Sequence, residues 1–572
     1  MSKDRKFFIW AFALGLLVLL AVLASAIGNI LAYFQTGADR SEALHLVSDL
    51  PDEYTPRVVW LEDDPYTGRV MEDFTRTRIV SDYVRSLYQW NLSYLLGEPT
   101  GIREYYSKNV RDRVTNSIDA MVKQDIQMEQ VELTHHLQLH FYSADGQIVS
   151  FTDHQVETQR RFFKNASTKR FFADESTSNY EVVLILDDGY WRIKHLVRRS
   201  PSGRVDSPKS IPSLPKPFTT RNDTLFEGNT PFFPKGINYY PQATPWKDFW
   251  RNYSADTTRK DFELIKSLGF NTVRIFVNYL DFGKGNLQHE MMRRLADLLD
   301  KAEKQDLKVI VTLFDFMGTY RLLDFPATDR QLENILTTFA THPAILAWDL
   351  KNEPDLDYNH HEKEDVQDWL RYMVRQARKY DPNHLITIGW AYPESAGFLA
   401  DKVDVVSFHF YRNPEELGPA IENLRQQTGN KPLMLEEYGL SSYRSFIWPA
   451  NNSENKQAAY VASIRQTLRK KGNIPSIIWT LYDFTEVGGD IAGGMPWQRA
   501  SQKHFGIIRP DGTIKPVHRA LLSESTFSDL GLLDKIPYYL ITYLLIGSIL
   551  IAGYYFLKVR KVRFRGIIRK KT

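Results

Sequence analysis

Two short segments of the sequence place a carboxylate directly after an apolar run. The first reads WDLKNEPD and carries Glu353, and the second reads LEEYG and carries Glu436 and Glu437. Two carboxyl groups that face each other across a cleft can cleave a glycosidic bond, because one protonates the leaving oxygen while the other attacks the sugar carbon. A single Glu after a strand is equally well explained as a solvated loop residue. Two carboxylates in matching positions favour a catalytic role over that explanation.

The elements that would position these residues are eight short apolar runs separated by helix-like segments. Such alternation predicts a parallel sheet, and eight units in about 300 residues predict a closed (β/α)8 barrel, an α/β fold. Glu353 would follow the fourth strand and the Glu436-Glu437 pair the seventh, at the end of a barrel where active sites form. Only 18 residues separate the starts of the fifth and sixth runs, so the fifth helix is expected to be short. The runs are 233–239, 272–277, 308–314, 345–350, 385–390, 403–410, 432–435 and 474–481.

The residues at these strand ends resemble the clan A glycoside hydrolases, especially family 5 of the cellulase and mannanase type and the related family 2 barrels. The resemblance covers residues 218–522 and rests first on Asn352-Glu353-Pro354 and Glu437-Tyr438-Gly439. Further matches are the KGIN of strand one, Arg274 on strand two, the HFY of strand six and Trp479 on strand eight.

The resemblance implies a role for each of these residues. Glu353 would be the acid/base and Glu437 the nucleophile of a retaining double displacement, with Glu436 as the rival nucleophile. Asn352 would bind the 2-hydroxyl of the sugar, and His409 and Trp479 would line the first sugar subsite. Arg274 and Tyr411 would keep Glu437 ionised, because a nearby cation and a donated hydrogen bond both favour the charged form. No metal ion or organic cofactor would take part.

Aromatic residues are concentrated in the segments that follow the strands. Trp246 and Trp390 are the strongest candidates for further sugar contacts, beside others after strands one, five and eight. Several such residues favour an oligosaccharide or polysaccharide substrate over a small glycoside. The others are Tyr239, Tyr240, Trp250, Tyr392 and Trp497.

Residues 40–199 predict a separate α+β domain. Helix-like stretches at 82–96 and 110–124 precede alternating strands, and an Asp-Gly between two of the strands is a strong hairpin signal. This order resembles the nuclear-transport-factor-2-like, or cystatin-like, cone. We expect structural roles for its histidines His135, His136, His140 and His195. The predicted strands are 131–142, 147–162, 180–186 and 190–197.

Two uncharged segments, 7–34 and 536–557, are each long enough to cross a bilayer as a helix. The first predicts a transmembrane helix or signal anchor, with cleavage after the Ala24-Ser25-Ala26 pattern as the alternative. Basic residues before the first segment and the basic tail at 558–572 predict cytoplasmic termini and an extracytoplasmic, periplasmic-type body at the cell membrane. A Ser/Pro-rich linker at 200–217 would separate the cone-like domain from the barrel at 218–525.

Charge and composition exclude several other classes of protein. The net charge of +3 includes +8 from residues 558–572 and +2 from residues 1–6, so about −7 remains for the rest and nucleic-acid binding is not expected. The absence of cysteine excludes thiol nucleophiles and zinc-thiolate sites. The sequence thus predicts a membrane-anchored endo-glycanase or transglycosylase that acts on a polysaccharide during its synthesis or export, together with a synthase or export complex. The alternative is a non-catalytic glycan-binding or scaffold subunit of such an assembly.

Overall fold

The structure, a computed structural model, describes residues 50–522 and 538–568, apart from 52, 55, 100, 165, 166, 168, 202–216, 445–451 and 494. The chain divides into two compact units, Met1–Asp206 and Ser207–Thr572. The predicted membrane segment at 7–34 and most of the predicted linker at 200–217 lie outside the described residues. The domain bounds drawn from the sequence therefore stay predictions.

The first unit is α+β, with helices followed by antiparallel strands as predicted; the short strand at Arg57–Trp60, which precedes the helices and pairs parallel with Thr134–Tyr142, was not predicted. Its helices pack on one face of a six-stranded sheet through a core that includes Tyr83, Leu87 and Phe151. The resemblance to the nuclear-transport-factor-2-like cone stays a prediction. The elements are β1 (Arg57–Trp60), α1 (Asp73–Leu96), α2 (Ile102–Tyr105), α3 (Lys108–Lys123), β2 (Ile126–Glu132), β3 (Thr134–Tyr142), β4 (Ile148–Lys164), β5 (Arg170–Asp187) and β6 (Tyr190–Arg199).

Strand β5 is ten residues longer at its start than the run 180–186 predicts. Its first half is polar and shows no alternating apolar pattern, so the sequence gives no strand signal there. Pairing with the equally long β4 continues nevertheless to Phe162 opposite Phe172, and these two rings lie 5.5 Å apart. Cross-strand pairing thus extends the strand where local propensity does not.

The second unit contains the predicted barrel. Eight parallel strands close on themselves in sequence order, the first pairing with the last. Each strand begins and ends within three residues of the corresponding predicted run. The strands are β10 (Lys235–Asn238), β11 (Thr272–Asn278), β12 (Lys308–Asp315), β13 (Ile345–Asn352), β14 (Leu385–Trp390), β15 (Val406–Phe410), β16 (Leu433–Tyr438) and β17 (Ser476–Ile478).

Helices follow the strands around the barrel, apart from one connection. Between β14 and β15 the described chain forms turns and no helix, which fits the short spacing read from the sequence. The helices are α4 (Lys247–Arg251), α5 (Ala255–Ser267), α6 (His289–Lys304), α7 (Phe325–Phe339), α8 (Lys363–Tyr380), α9 (Leu417–Thr428), α10 (Glu454–Lys470), α11 (Gly489–Ala492), α12 (Pro496–Gln502) and α13 (Val517–Leu522).

A small three-stranded sheet precedes the barrel and packs against its interior. It consists of β7 (Phe218–Arg221), β8 (Thr224–Glu227) and β9 (Thr230–Phe232). Phe218 and Leu225 join one apolar cluster with Leu385 and Ile477, which lie near the starts of their strands. The sheet therefore covers the N-terminal end of the barrel and leaves the C-terminal end for the site.

The last described element is α14 (Tyr538–Ile568), which includes most of the predicted membrane segment 536–557. Many of its described apolar side chains are exposed, among them Leu544, Ile549 and Leu550. Across the described residues, no helix has both the length and the apolar character needed to cross a membrane.

Candidate active site

Arg274 lies inside the barrel and joins four residues from three other strands. Its guanidinium donates to Glu437 Oε1 at 2.6 Å, Asp349 Oδ2 at 2.7 Å, Asn352 Oδ1 at 2.8 Å and Asn238 Oδ1 at 3.1 Å. The side chain is completely buried, so these charge-assisted bonds act where water does not compete. Arg274 thereby holds the ends of β13 and β16 in a fixed relation.

The space for Arg274 depends on a glycine in the neighbouring strand β14. A Cβ atom at Gly389 would lie 2.9 Å from Nη2 of Arg274 and 3.0 Å from Oδ2 of Asp349. Both atoms belong to a buried ion pair that has no room to move aside. Gly389 is thus required for close approach of the backbone to this pair.

Glu437 receives a hydrogen bond on each of its two oxygens. Arg274 donates to Oε1, and the Tyr411 hydroxyl donates to Oε2 at 2.8 Å. Donors on both oxygens fix the plane of the carboxylate, and Glu437 lines a cavity at the barrel mouth. It has the orientation and the access that a nucleophile needs.

Glu353 follows β13 with a backbone φ of +48°, a conformation that residues other than glycine rarely adopt. Its amide donates to the carbonyl of Gly389 at 2.7 Å, and this contact holds the unusual backbone in place. Burial raises the pKa of the Glu353 carboxyl, while Arg274 and Lys351 oppose the rise. A raised pKa favours the protonated form of the carboxyl, which is the form that a general acid requires.

His409 links the two glutamates. Its Nδ1 lies 2.8 Å from Glu353 Oε1 and 3.7 Å from Glu437 Oε2. Burial lowers the pKa of His409 to about 4, so the ring is neutral at neutral pH. A neutral imidazole nitrogen can accept from a carboxylic acid or, in the other tautomer, donate to a carboxylate. The contact is therefore compatible with both protonation states of Glu353.

Glu436 occupies a different environment from its neighbour. It is fully buried, its Oε2 lies 4.0 Å from Arg274 Nε, and it does not line the cavity. Burial, reinforced by Asp349, raises the pKa of Glu436 well above its usual range. Simple strand alternation would turn one of the two glutamates away from Arg274. An irregular register between Leu435 and Tyr438 brings both to it, at different depths.

The cavity has a volume of about 500 Å³ and brings together most of the residues named from the sequence. Trp479 lines it beside Phe276 and Tyr240, whose ring centroids lie 6.0 and 6.3 Å from its own. Asn352 also lines it, and because its amide oxygen accepts from Arg274, its NH₂ group is left for a sugar hydroxyl. The lining residues are Tyr240, Trp246, Phe276, Asp315, Phe316, Asn352, Glu353, Tyr411, Glu437, Trp479, Asp490, Ile491, Gln502 and Phe505.

The two outer tryptophans differ in position. Trp246 lines the cavity and packs against Phe484 with 4.7 Å between ring centroids. Trp390 is only 2% exposed, lies edge-on to Phe398 and does not line the cavity. The structure thus places Trp246 with the site and Trp390 in packing beside it.

Sequence reasoning missed two acidic residues of the site. Asp349 accepts from Arg274, from Thr312 Oγ1 at 2.8 Å and from the Gly389 amide at 2.8 Å. Asp315 ends β12 and lines the cavity. The available signal was the position of the two residues, Asp349 within one apolar run and Asp315 directly after another. That position does not reveal which other strands the two side chains contact.

Two clusters could offer ligands to a metal ion. At the site, one oxygen each of Glu353 and Glu437 and a nitrogen of His409 lie within 4.8 Å of one another. The guanidinium of Arg274, 2.6 Å from Glu437, opposes a divalent cation there. The other cluster is Asp300, Glu303 and His342, away from the cavity.

In the first unit, the predicted histidines are mostly held by neighbours in their own sheet. His135 is buried and lies 2.6 Å from Asp153; burial disfavours its charged form, but Asp153 outweighs that effect and raises its pKa. His140 lies 2.7 Å from both Asp64 and Thr152, and the ring of His136 is 3.3 Å from a backbone carbonyl. These contacts agree with the structural roles expected for them.

Residues 229–485 match the sequence model of a family described as cellulase (glycosyl hydrolase family 5). The matched range contains both glutamates and Arg274, Asn352, His409, Tyr411 and Trp479. Mannan endo-1,4-beta-mannosidase A of Podospora anserina is 25% identical over 278 residues, which are 38% of this chain and 72% of the relative. Probable mannan endo-1,4-beta-mannosidase A of Aspergillus flavus is 22% identical over 306 residues, 42% of this chain and 77% of the relative.

Solved structures show similarity over the same region. An exo-beta-1,4-mannosidase from Opitutaceae bacterium strain TAV5 superimposes with a TM-score of 0.44 and 21% identity. The superposition covers 53% of this chain and 61% of that one.

Proposed function

We propose that the barrel is a clan A glycoside hydrolase domain of the cellulase and mannanase type, and that the protein is a retaining β-glycosidase acting on oligosaccharides or polysaccharides. The observation that carries the proposal is the carboxyl pair. Glu353 and Glu437 approach within 4.8 Å between their nearest oxygens. Retaining enzymes hold their two carboxyl groups about 5–5.5 Å apart, whereas inverting enzymes leave room for a water molecule at about 6.5–9.5 Å.

The proposed reaction has two displacements. Glu437 attacks the anomeric carbon while Glu353 gives its proton to the leaving oxygen, and a glycosyl-enzyme forms. The bond to the sugar removes the negative charge of Glu437, so Glu353 can remain ionised and accept a proton from water or from an acceptor sugar. The outcome is hydrolysis with water and transglycosylation with a sugar.

The decisive experiment compares Glu353→Ala and Glu437→Ala on natural oligosaccharides and on an activated aryl glycoside. A positioned general acid contributes about 10²–10⁴-fold, and an aryl leaving group does not need it. Glu353→Ala should therefore lose the natural substrates but still form a glycosyl-enzyme from the aryl glycoside, visible by mass spectrometry. Glu437→Ala should lose both. Folding of each variant is confirmed by its thermal transition, and unchanged activity in both variants would contradict the proposal.

The names of the relatives suggest where a substrate panel should begin. β-1,4-linked mannan oligosaccharides come first, because both fungal relatives carry mannosidase names. Cello-oligosaccharides and β-1,3-linked gluco-oligosaccharides complete the panel. Proton NMR of the first-formed anomer then tests retention directly.

We also propose that the enzyme is tethered to the cell membrane, with its barrel on the extracytoplasmic, periplasmic side. Support comes from the uncharged runs at 7–34 and 536–557, and from the exposed apolar side chains of α14. A tethered enzyme suits a polysaccharide that is trimmed or remodelled as it leaves the membrane. A synthase or export complex is accordingly the proposed partner.

A non-catalytic glycan-binding subunit is the competing function. Loss of catalysis would be expected to leave at least one catalytic or orienting residue replaced or displaced. Here both glutamates, Arg274 and Tyr411 are present: Arg274 and Tyr411 donate to Glu437, and Glu353 is hydrogen-bonded to His409. This connectivity favours the enzyme.

A further inference from the structure

The cavity beside the glutamates lies on one side of the bond to be cut. The leaving group must lie next to Glu353, at the end of the fourth barrel strand. Most of the lining residues lie on the first, second, third and eighth strands or in the segments that follow them. Trp390 and Tyr392, at the end of the fifth strand, do not line the cavity. The cavity therefore holds the glycone, which is the part of the substrate whose anomeric carbon Glu437 attacks.

Three loops meet at the far rim of this cavity. Lys247 on α4 pairs with Asp490 on α11, with 2.5 Å between Nζ and Oδ2. The same ammonium group lies 5.0 Å from the centre of the Phe316 ring, which follows β12. We call these three residues the rim clamp. Asp490 and Phe316 also line the cavity, so the clamp forms part of its wall.

The rim clamp blocks the path that a polysaccharide chain would need to follow if it were cleaved in its interior. A polysaccharide cut in its interior must continue beyond the cavity on the glycone side. With the clamp formed, the loops after the first, third and eighth strands are connected across that route. The clamp joins side chains from separate loops, and replacing either charged residue removes the ion pair, so a single substitution should open it.

Asp315 supplies a polar group inside the closed space. It is 9% exposed, lines the cavity, and receives a long hydrogen bond, 3.4 Å from the Tyr240 hydroxyl, and a second one from the Phe316 backbone amide. A buried carboxylate needs hydrogen-bond donors to offset its loss of water. The terminal sugar of a chain offers the hydroxyl that every internal sugar has used in its linkage.

We infer that the cavity is a pocket for the non-reducing end of a glycan, closed by the rim clamp and with Asp315 as a ligand for terminal hydroxyl groups. The enzyme then releases a mono- or disaccharide from chain ends rather than cutting chains internally. This inference differs from the endo-glycanase expected at first, and it rests on the proposed glycosidase function.

The test uses the full chain and hexasaccharides of the mannan, cellulose and β-1,3-glucan types. Each is offered free and with its non-reducing sugar capped as the 4,6-O-benzylidene acetal. Free chains should yield mono- or disaccharide, and capping should slow cleavage at least 100-fold. Cleavage of capped chains at the rate of free ones would overturn the inference while leaving the glycosidase function intact. Inactivity on every hexasaccharide and on aryl glycosides would overturn both.

Variants of the clamp provide the second arm. Lys247→Ala and Asp490→Ala should each raise the rate of cleavage of capped chains, relative to that of free chains, at least tenfold. The control is Lys260→Ala, which removes an exposed ion pair with Asp256 on the outer helix α5. Asp315→Asn should raise KM for free chains about tenfold with a smaller change in kcat. If capped chains stay uncut in both clamp variants, the clamp does not close the pocket and the inference fails.

Discussion

At the scale of single residues, the site works by giving neighbouring carboxyl groups different surroundings. Glu437 accepts from two donors and faces the cavity, whereas Glu436 is enclosed beside Arg274 and Asp349. Glu353 is partly desolvated and touches neutral His409. Environment, rather than residue type, thus assigns the acid, the nucleophile and the buried neighbour.

The adjacent pair Glu436-Glu437 yields a sharp prediction from this difference. Burial raises the pKa of Glu436 well above its usual range, which favours the neutral carboxyl. Glutamine resembles a protonated glutamate in shape and charge, and Glu436→Gln should keep activity within about tenfold. Glu437→Gln removes the attacking oxygen and should lose at least 10³-fold. Rates on an aryl glycoside, with thermal transitions as folding controls, check both; the reverse order would make Glu436 the nucleophile.

Asp315 yields a pH-dependent prediction. Burial raises its pKa to about 6, although Lys351, Arg274 and Tyr240 oppose the rise. The pKa in the unfolded chain is about 3.9, so the ionised carboxyl increasingly destabilises the fold as pH rises from 4 through 6. Asp315→Asn should raise the free energy of unfolding by up to about 3 kcal/mol above pH 7, and by almost nothing at pH 4.

The check is the thermal transition of the barrel from pH 4 to 8 in wild type and variant. Asp401→Asn is the matched control, because Asp401 is exposed and its pKa is lowered by the neighbouring Lys402. That control should not become more stable as pH rises. A stabilisation by Asp315→Asn that is the same at every pH would contradict the prediction.

At the scale of elements, the barrel was predictable because each strand is an apolar run of the right length. The site was predictable where a residue directly ends such a run, as Glu353 and Glu437 do. The rim clamp was not, because Lys247 and Asp490 lie 243 residues apart and meet only when the barrel closes. The start of β5 was not predicted for a similar reason, because it is a strand only through its pairing with β4.

The long segment after β17 is an element whose position depends on a buried ion pair. Lys515 donates to Asp483 at 2.7 Å, and both side chains are almost fully buried. Lys515 also donates to Ser442 at 2.9 Å, and Asp483 accepts from the Gly506 amide at 2.9 Å. These bonds hold the segment that carries Asp490, Gln502 and Phe505 to the cavity.

Lys515→Met should therefore destabilise the barrel and impair the site together. Removing one partner of a buried pair costs about 3–5 kcal/mol, because the other charge stays buried without compensation. We expect a lower thermal transition and a higher KM. Lys470→Met, at an exposed position on α10, is the control that should do neither. Adding Asp483→Asn to Lys515→Met should recover part of the lost stability, and a further loss would contradict this account.

At the scale of the whole molecule, charge and hydrophobicity divide the chain into parts with different surroundings. Residues 558–572 hold eight Lys or Arg and no acid, whereas the body between the termini is mildly acidic. Clusters of Lys and Arg beside an apolar segment resist export and stay in the cytoplasm. The eight basic residues of the tail have no evident use in the barrel, because the site consists of residues from the barrel strands and the segments that follow them.

This asymmetry predicts the orientation of the full chain in the cell membrane. A phosphatase reporter, which is active only outside the cytoplasm, should be active when fused after Ser200 and inactive when fused after Thr572. A fluorescent reporter that matures only in the cytoplasm should show the opposite pattern at the same two positions. Replacing the eight basic residues of the tail with glutamine should weaken the signal that keeps the tail inside, so that part of the Thr572 phosphatase becomes active. A cytoplasmic reading at Ser200 would contradict the proposed orientation and, with it, the access of the barrel to exported polysaccharide.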